Sequence, residues 1–135
     1  MNTYLILGIM AGILGIVFTI AFSKKPTLVA KIKKLSKKEK IAPPVKIIEG
    51  SVNFMEVVNY FKSLKLDKEK HIPFVAKAEA FKEILKFEPK KQVALFIGVF
   101  DDEATEIIHS QIIEADELDA KTREVLGNED LVVLS

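Results

Sequence analysis

Two histidines are the side chains of this sequence best suited to proton transfer or metal binding. His71 and His109 are far apart in the chain, and the sequence contains no cysteine. Neither histidine therefore has a second nitrogen or sulfur ligand at the short spacing that zinc sites require. We expect both histidines to lie on the surface, with no catalytic and no metal-ligating role.

The acidic residues form two groups that flank a predicted strand. They are Asp101, Asp102, Glu103 and Glu106 in the first group, and Glu114, Asp116, Glu117 and Asp119 in the second. Carboxylates bind Ca²⁺ and Mg²⁺, but the spaced Asp-x-Asp-x-Asp-Gly pattern of a calcium loop is missing. The alternative is solvated turns and a helix N-terminus, where acids interact favourably with the helix dipole. We predict no metal site.

The same acids suggest a surface for a protein partner. Residues 101–135 contain eleven acidic residues against Lys121 and Arg123. A local excess of one charge attracts partners of the opposite charge. We take the eight acids of the two groups as the candidate partner surface.

Other catalytic motifs are missing. Gly50, Gly98 and Gly127 are isolated, so they form no glycine-rich phosphate loop. No serine has the flanking glycines of a nucleophile elbow. We therefore expect no enzymatic activity and no cofactor.

The N-terminal part of the chain predicts a membrane anchor. Residues 4–22 contain no charged side chain, and only Tyr4 and Thr19 carry polar groups. As a helix this run would be about 28 Å long, close to the thickness of a bilayer's hydrocarbon core. A soluble core helix is the alternative, but it would show a polar face. A cleaved signal peptide would need a basic residue before the run, and Met1–Thr3 has none.

The distribution of lysines predicts the orientation of this anchor. Residues 1–50 carry nine lysines, all after position 23, against Glu39 and Glu49. Basic residues near a transmembrane helix stay on the cytoplasmic side. We predict a single-pass protein of the cell membrane, with its N-terminus outside and its C-terminal domain in the cytoplasm.

Small residues share one side of the predicted transmembrane helix: Gly8, Ala11, Gly12 and Gly15. Such a side lets a second helix approach closely. It could pack against the helix of another membrane subunit, or against a second copy of this chain in a homodimer.

The basic segment after the anchor has three possible interpretations. Residues 27–40 place Leu28, Ile32 and Leu35 at helical spacing, which fits a helix lying on the membrane surface. The lysines that would then contact anionic lipid are Lys31, Lys33, Lys34, Lys37 and Lys38. The segment could also be a solvated tether, or bind nucleic acid. We expect no nucleic-acid binding, because no arginine or aromatic residue is interleaved with the lysines.

The remaining residues predict an α+β domain. We divide the chain into an anchor (1–23), a basic segment with a proline linker (24–44) and a cytoplasmic domain (45–135). Within the domain we expect the order β-α-α-β-β-α-β and a mainly antiparallel sheet. The expected strands are 45–49, 92–100, 105–114 and 131–134. The expected helices begin after Asn53, at Pro73 and after Asp116, which has Asp119 three positions further on. The second of them carries Phe74, Ala78, Phe81 and Leu85 on one side.

Strand 92–100 is apolar on both faces, so we expect helices to cover both sides of it. For function, the leading interpretation is a membrane-tethered protein-binding module at the cytoplasmic face. The alternative is a structural or accessory subunit of a larger membrane complex, packed through the glycine side of the transmembrane helix.

Overall fold

The computed structural model describes residues 4–7, 19–24, 26–37 and 40–134, which fold as an α+β protein with three helices. The helices are α1 (Pro26–Lys33), α2 (Phe54–Lys62) and α3 (Ala120–Leu126), and 3-10 turns cover Lys34–Lys37 and Ala78–Phe81. The strands are β1 (Tyr4–Leu7), β2 (Thr19–Lys24), β3 (Val45–Ile47), β4 (Ser51–Val52), β5 (His71–Lys77), β6 (Val93–Asp101), β7 (Glu106–Ala115), β8 (Glu117–Leu118) and β9 (Leu131–Leu134).

The larger sheet is mixed but mainly antiparallel, as predicted. Its order is β1-β2-β9-β5-β6-β7-β3, and among the described strands of this sheet only β3 and β7 run parallel. β4 and β8 form a small parallel pair apart from it. β6 and β7 form an antiparallel hairpin from the segments expected as strands 92–100 and 105–114. Its register shifts once, between Val99 and Phe100.

Both faces of β6 are covered, which confirms the prediction for this strand. Leu95, Ile97 and Val99 pack on one face with residues of α2 and α3, and we call this face the α2 side. Phe96 and Phe100 pack on the opposite face with residues of α1, which we call the α1 side. All five of these side chains have zero exposure. Because successive side chains of a strand point to opposite faces, one apolar sequence contributes to two cores.

The first and the last of the three predicted helices are present as α2 and α3. The Asn53 side chain accepts a hydrogen bond from Met55 N–H at 2.8 Å and begins α2. Asp119 caps α3, rather than the expected Asp116, because Glu117 and Leu118 form β8 and the Asp116 carboxylate accepts the Gly50 N–H. Gly127, with φ of 55°, follows the last residue of that helix. Asn and Asp are preferred at N-caps because they satisfy N–H groups that have no partner within the helix.

The helix predicted after Pro73 is wrong, because β5 and a 3-10 turn occupy that segment. Phe74, Ala78, Phe81 and Leu85 are nevertheless all buried on the α1 side. A strand that runs into a tight turn brings these residues to one face, as a helix would. Proline fits in β5 because β9 pairs only with Phe74, Val75 and Ala76, so Pro73 lies beyond that pairing.

The ends of the predicted transmembrane helix are strands in the structure. β1 pairs with β2, and β2 joins the sheet through three residue pairs with β9. Among the described residues, no helix is both long and apolar enough to cross a membrane. An uncharged run rich in Ile and Leu has no helical period, and its residues fit a buried strand as well as a helix. The central part of the run, 8–18, lies outside the described residues.

The basic segment packs on the sheet, which corrects the expectation that its apolar side faces lipid. Leu28 is 3% exposed and Ile32 is 0% exposed, and both lie on the α1 side. Leu35 is partly buried against the same cluster. The apolar residues of α1 cover this face of β6 together with residues of the segment after Pro73.

Candidate functional site

The two histidines contact other residues of the folded chain. His71 Nδ1 accepts the backbone N–H of Asp67 at 2.9 Å, so the proton of the neutral ring is on Nε2, which lies 3.6 Å from Asp101 Oδ2. His109 is half-buried on β7, opposite Val99. Within the residues that the structure describes, no cluster of three or more His, Asp or Glu side chains could hold a metal ion.

The first acidic group lies at the turn between β6 and β7. The Asp101 carboxylate accepts the N–H groups of Glu103 and Ala104, both at 2.9 Å. These bonds, the one from Ala104 first, hold the pKa of Asp101 below its usual range. Asp102 forms a 2.7 Å ion pair with Lys31 of α1. Glu103 and Glu106 are exposed.

The second acidic group lies where β7 ends and stabilises three neighbouring segments. Glu114 is 1% exposed, and its carboxylate accepts the backbone N–H groups of Lys90 and Lys91. Asp116 accepts the Gly50 N–H at 2.9 Å, and this bond is the main reason that the pKa of Asp116 is lowered. Asp119 accepts the Phe54 N–H at 2.9 Å, in addition to capping α3.

The structure does not bring the eight acids together on one surface. The two groups lie at opposite ends of β7, a strand of 10 residues and so about 30 Å long. Five of the acids have intramolecular partners: Asp101, Asp102, Glu114, Asp116 and Asp119. Glu103, Glu106 and Glu117 remain as exposed acids.

The lysines predicted to contact lipid are described only in part. Lys31 is paired with Asp102, the Lys33 ammonium lies 5.7 Å from the centre of the Phe81 ring, and Lys34 is exposed. Their contact with lipid remains a prediction. The Lys37 side chain, Lys38 and the transmembrane packing residues Gly8, Ala11, Gly12 and Gly15 lie outside the described residues.

An open edge of the sheet is formed by β3. Val45 and Ile47 are 45% and 49% exposed. The Pro44 carbonyl accepts the Ile112 N–H, and the Ile48 N–H donates to the Glu114 carbonyl, at 2.9 and 2.8 Å. Backbone groups alternate in direction along a strand, so the N–H and C=O groups of Val45 and Ile47 point away from β7. Among the described residues, no strand pairs with β3 on that side.

A groove with a cavity of about 650 Å³ lies at the end of the sheet where β5 ends and β6 begins. We call it the lysine-rimmed groove. Its apolar lining comes from three segments, and its members are Leu85, Phe87, Pro89, Val93, Ala94, Leu95 and Leu118. Its charged members are Lys40, Lys77, Lys82, Lys91 and Glu79. Cations therefore outnumber acids around an apolar floor.

The lysines of the groove differ in how their charge is balanced. Lys91 lies 3.1 Å from Asp116 and 3.3 Å from Glu49, and these contacts, Asp116 first, raise the pKa of Lys91. Lys82 is 3.8 Å from Glu79, in a pair whose side chains are both exposed, which makes it a weak pair. Among the described residues, neither Lys40 nor Lys77 has an ion-pair partner. The groove thus presents a net positive charge.

No protein-family model, no curated protein and no solved structure matches this chain. The inferences that follow therefore come from the residues and their geometry.

Neither the open edge nor the groove is predicted from the sequence. For the edge, the sequence offers one signal: the apolar residues Val45 and Ile47 alternate with Lys46 directly after two prolines. The groove had none, because its lining comes from segments that are distant in the chain and meet only in the folded sheet.

Proposed function

We propose that this protein is a membrane-tethered protein-binding module. Residues 4–22 cross the cell membrane as one helix, with the N-terminus outside, and hold the α+β domain at the cytoplasmic face. There an extended segment of a partner protein pairs with the open edge of β3.

The anchor is supported by the charge distribution of the chain. The uncharged run 4–22 is long enough to cross a bilayer as a helix, and nine lysines but no arginine follow it before residue 50. In lipid, a hairpin of β1 and β2 would leave the backbone groups of its outer strand without partners, whereas a helix satisfies them internally. The proposal therefore requires β1 and most of β2 to leave the sheet when the run enters the membrane.

The sheet tolerates this change because the hairpin lies at its margin. β2 contacts β9 through three residue pairs only, whereas β9 also pairs with β5. The pairing of β9, β5, β6, β7 and β3 does not depend on β1. The domain can therefore keep its two cores while residues 4–22 are in the bilayer.

Partner binding is supported by the single observation that β3 combines exposed apolar side chains with unpaired backbone groups. An edge strand of this kind accepts an added strand from another protein. Val45 and Ile47 would contact the side chains of that strand, and their outward N–H and C=O groups would bond to its backbone. Among the described residues, these two are the large apolar side chains with the greatest exposure.

The test is site-specific photo-crosslinking of the full chain in its native membrane. A photoreactive residue is placed at Val45, and at the exposed Lys65 as a control. We expect one crosslinked product of defined mass from position 45 and none of that mass from position 65.

Two substitutions of Ile47 make this test specific to strand pairing. Ile47→Pro removes the outward N–H and should abolish the product from position 45. Ile47→Thr keeps that N–H and the preference for strand, so the product should remain. A product that is insensitive to Ile47→Pro would contradict strand addition, and no product at position 45 would contradict binding at this edge.

A further inference from the structure

The open edge of β3 presents two apolar side chains with a lysine between them on the opposite face. Val45 is paired with Ile112, which is buried on the α1 side, and Lys46 is paired with Ile113, which is buried on the α2 side. Side chains alternate along a strand, so Ile47 lies on the α1 side with Val45. The backbone groups of Lys46 point to β7, whereas those of Val45 and Ile47 point outward.

The edge is short, so a partner strand can match it over three residues. Pro43 and Pro44 precede β3 and have no N–H group to donate. After β3 the chain turns at Gly50, whose φ of 90° is incompatible with an extended strand. The identity of the partner is therefore read at Val45, Lys46 and Ile47.

An antiparallel partner strand would bring one of its side chains close to Lys46. Residues with outward N–H and C=O groups, here Val45 and Ile47, each exchange two hydrogen bonds with one opposite residue. Lys46 then falls in the non-hydrogen-bonded pair between them, where the Cα atoms are about 4.5 Å apart and the side chains are closest. Antiparallel pairing is also slightly more stable per residue than parallel pairing, which favours it for so short an edge.

A second copy of this chain fits the edge poorly. If two β3 strands pair antiparallel through both outward residues, Val45 lies opposite Ile47 of the second copy and Lys46 lies opposite Lys46. Like charges directly opposite each other destabilise a strand pair. Moving the register by one step sets Ile47 opposite Pro43, which has no N–H group, or sets Val45 opposite Glu49, next to the turn at Gly50.

Lys46 can bind a carboxylate of a partner in addition to its own ion pair. Its ammonium lies 3.2 Å from Glu56 Oε2, and the two side chains are 52% and 38% exposed. Ion pairs with this exposure are weak, and an ammonium group has three N–H donors. Glu56 belongs to α2, which covers this face, whereas Lys46 is on the edge strand itself. The charge that a neighbouring strand meets first is therefore positive.

We propose that the partner segment has the order apolar-acidic-apolar and pairs antiparallel with β3, with its acidic residue opposite Lys46. Its two apolar residues would lie beside Val45 and Ile47, at the margin of the α1 side. This inference rests on strand addition at β3 in the proposed function, and it does not depend on the membrane anchor. Lys46 then selects the partner and also disfavours pairing of two copies of the chain.

Synthetic peptides test this charge selection on the full chain in micelles of a zwitterionic detergent. The two probes differ at one position: acetyl-Thr-Val-Glu-Val-Thr-amide and acetyl-Thr-Val-Lys-Val-Thr-amide. NMR spectra of the isotope-labelled chain detect weak binding through shifts of the Val45 and Ile47 amide signals. We expect the glutamate peptide to bind about threefold to tenfold more tightly than the lysine peptide.

Charge variants assign this preference to Lys46. Lys46→Gln should bring the affinities of the two peptides to within about twofold of each other, and Lys46→Glu should make the lysine peptide the tighter ligand. Lys65→Glu is the matched control, because it reverses an exposed charge beyond the end of α2, and it should leave the preference for glutamate unchanged. Equal losses of preference in Lys46→Glu and Lys65→Glu would overturn the assignment to Lys46.

The outcomes distinguish failure of this inference from failure of the proposed function. Equal binding of the two peptides, with shifts at Val45 and Ile47, refutes the charge selection and leaves strand addition standing. If neither peptide shifts these signals, this inference is refuted, and photo-crosslinking from position 45 decides whether strand addition fails as well. A crosslinked product of twice the mass of the chain would identify a second copy as the occupant and overturn an acidic partner.

Discussion

The buried carboxylate of Glu114 accepts the backbone N–H of Lys91 at 3.1 Å, and it also accepts the backbone N–H of Lys90. The Lys91 ammonium points elsewhere, to Asp116 and Glu49. One lysine thus contacts two of the acids near the end of β7 by different atoms. A carboxylate that is 1% exposed is costly to bury, and hydrogen bonds from backbone N–H groups offset that cost.

Loss of this carboxylate should loosen the segment before β6. Glu114→Ala leaves two backbone N–H groups without their acceptor, and we expect a loss of about 1–3 kcal/mol in the free energy of unfolding. Glu114→Gln keeps an acceptor oxygen and should lose less. Denaturant unfolding of the full chain in detergent measures both, and hydrogen exchange should accelerate at the Lys90 and Lys91 amides in the alanine variant. Unchanged exchange at those amides would show that Glu114 does not hold them.

Glu114 also shows where sequence reasoning reaches its limit. Charge counting placed this residue in an acidic partner surface, but its position on β7 faces Ala94 across the ladder and is buried. Whether an acid is exposed depends on strand register and on which loop passes over it. Neither is encoded in local composition.

Sequence signals predicted the structure correctly where one short segment determines the local conformation. Asn53 predicted the start of α2, because capping depends on residues within one turn, whereas the start of α3 was predicted at Asp116, three residues before its cap at Asp119. The alternation along β6 predicted its two covered faces. The segment after Pro73 was predicted wrongly because its spacing of apolar residues fits both a helix and a strand followed by a tight turn.

Phe96 should be among the most sensitive core positions. Its side chain has zero exposure, and its ring centre lies 5.1 Å from that of Phe74 and 6.0 Å from that of Phe81. Phe96→Ala should cost about 3–5 kcal/mol, because it removes the aromatic contacts and leaves a cavity. This is comparable to the whole stability of a small domain, so the variant should be largely unfolded.

Circular dichroism during thermal unfolding of the full chain in detergent checks the Phe96 prediction. Phe87→Ala serves as the control, because Phe87 is only half-buried at the groove and should cost less. A loss below about 1 kcal/mol in the free energy of unfolding for Phe96→Ala would contradict tight packing of this ring against both Phe74 and Phe81.

Acid should destabilise the domain partly through Asp119. Burial opposes ionisation of Asp119, but hydrogen bonds from the Thr122 hydroxyl and from the N–H groups of Phe54 and Thr122 hold its pKa below the usual value. The unfolded chain lacks these bonds, so it binds the proton at a higher pH than the folded chain does. Stability is therefore fully present above about pH 4 and falls as the pH falls below it.

The variant Asp119→Asn isolates this contribution to the pH dependence. Asparagine is also a good N-cap residue, but it does not titrate. Urea unfolding of the full chain between pH 6 and pH 3 should show a shallower loss of stability for the variant than for the parent. The pKa values of Asp101 and Asp116 are also lowered, so these two residues should account for part of the pH dependence that remains in the variant. Identical slopes would contradict a role for Asp119.

The glycine side of the proposed transmembrane helix should support association with another helix. Gly12→Ile places a branched side chain where a second backbone would approach. Crosslinking of the full chain in mild detergent should then yield less dimer, or less of a complex with another subunit, than the parent. Leu14→Ile, a change within the same run outside the Gly8, Ala11, Gly12 and Gly15 set, is the matched control. Equal yields for both variants would show that these glycines do not mediate packing.

The lysines that come after the apolar run predict the orientation of the proposed anchor. The first charged side chain of the sequence is Lys24, and nine lysines precede residue 50. Moving so many charges through a bilayer is unfavourable, so we predict that this flank stays in the cytoplasm. Protease added outside intact cells should leave a tag placed after Ser135 intact, and should remove a tag placed before Met1. Protection of both tags until the cells are lysed would contradict a chain that spans the cell membrane. Loss of the C-terminal tag with retention of the N-terminal tag would reverse the orientation, and would place the β3 edge and the lysine-rimmed groove outside the cell.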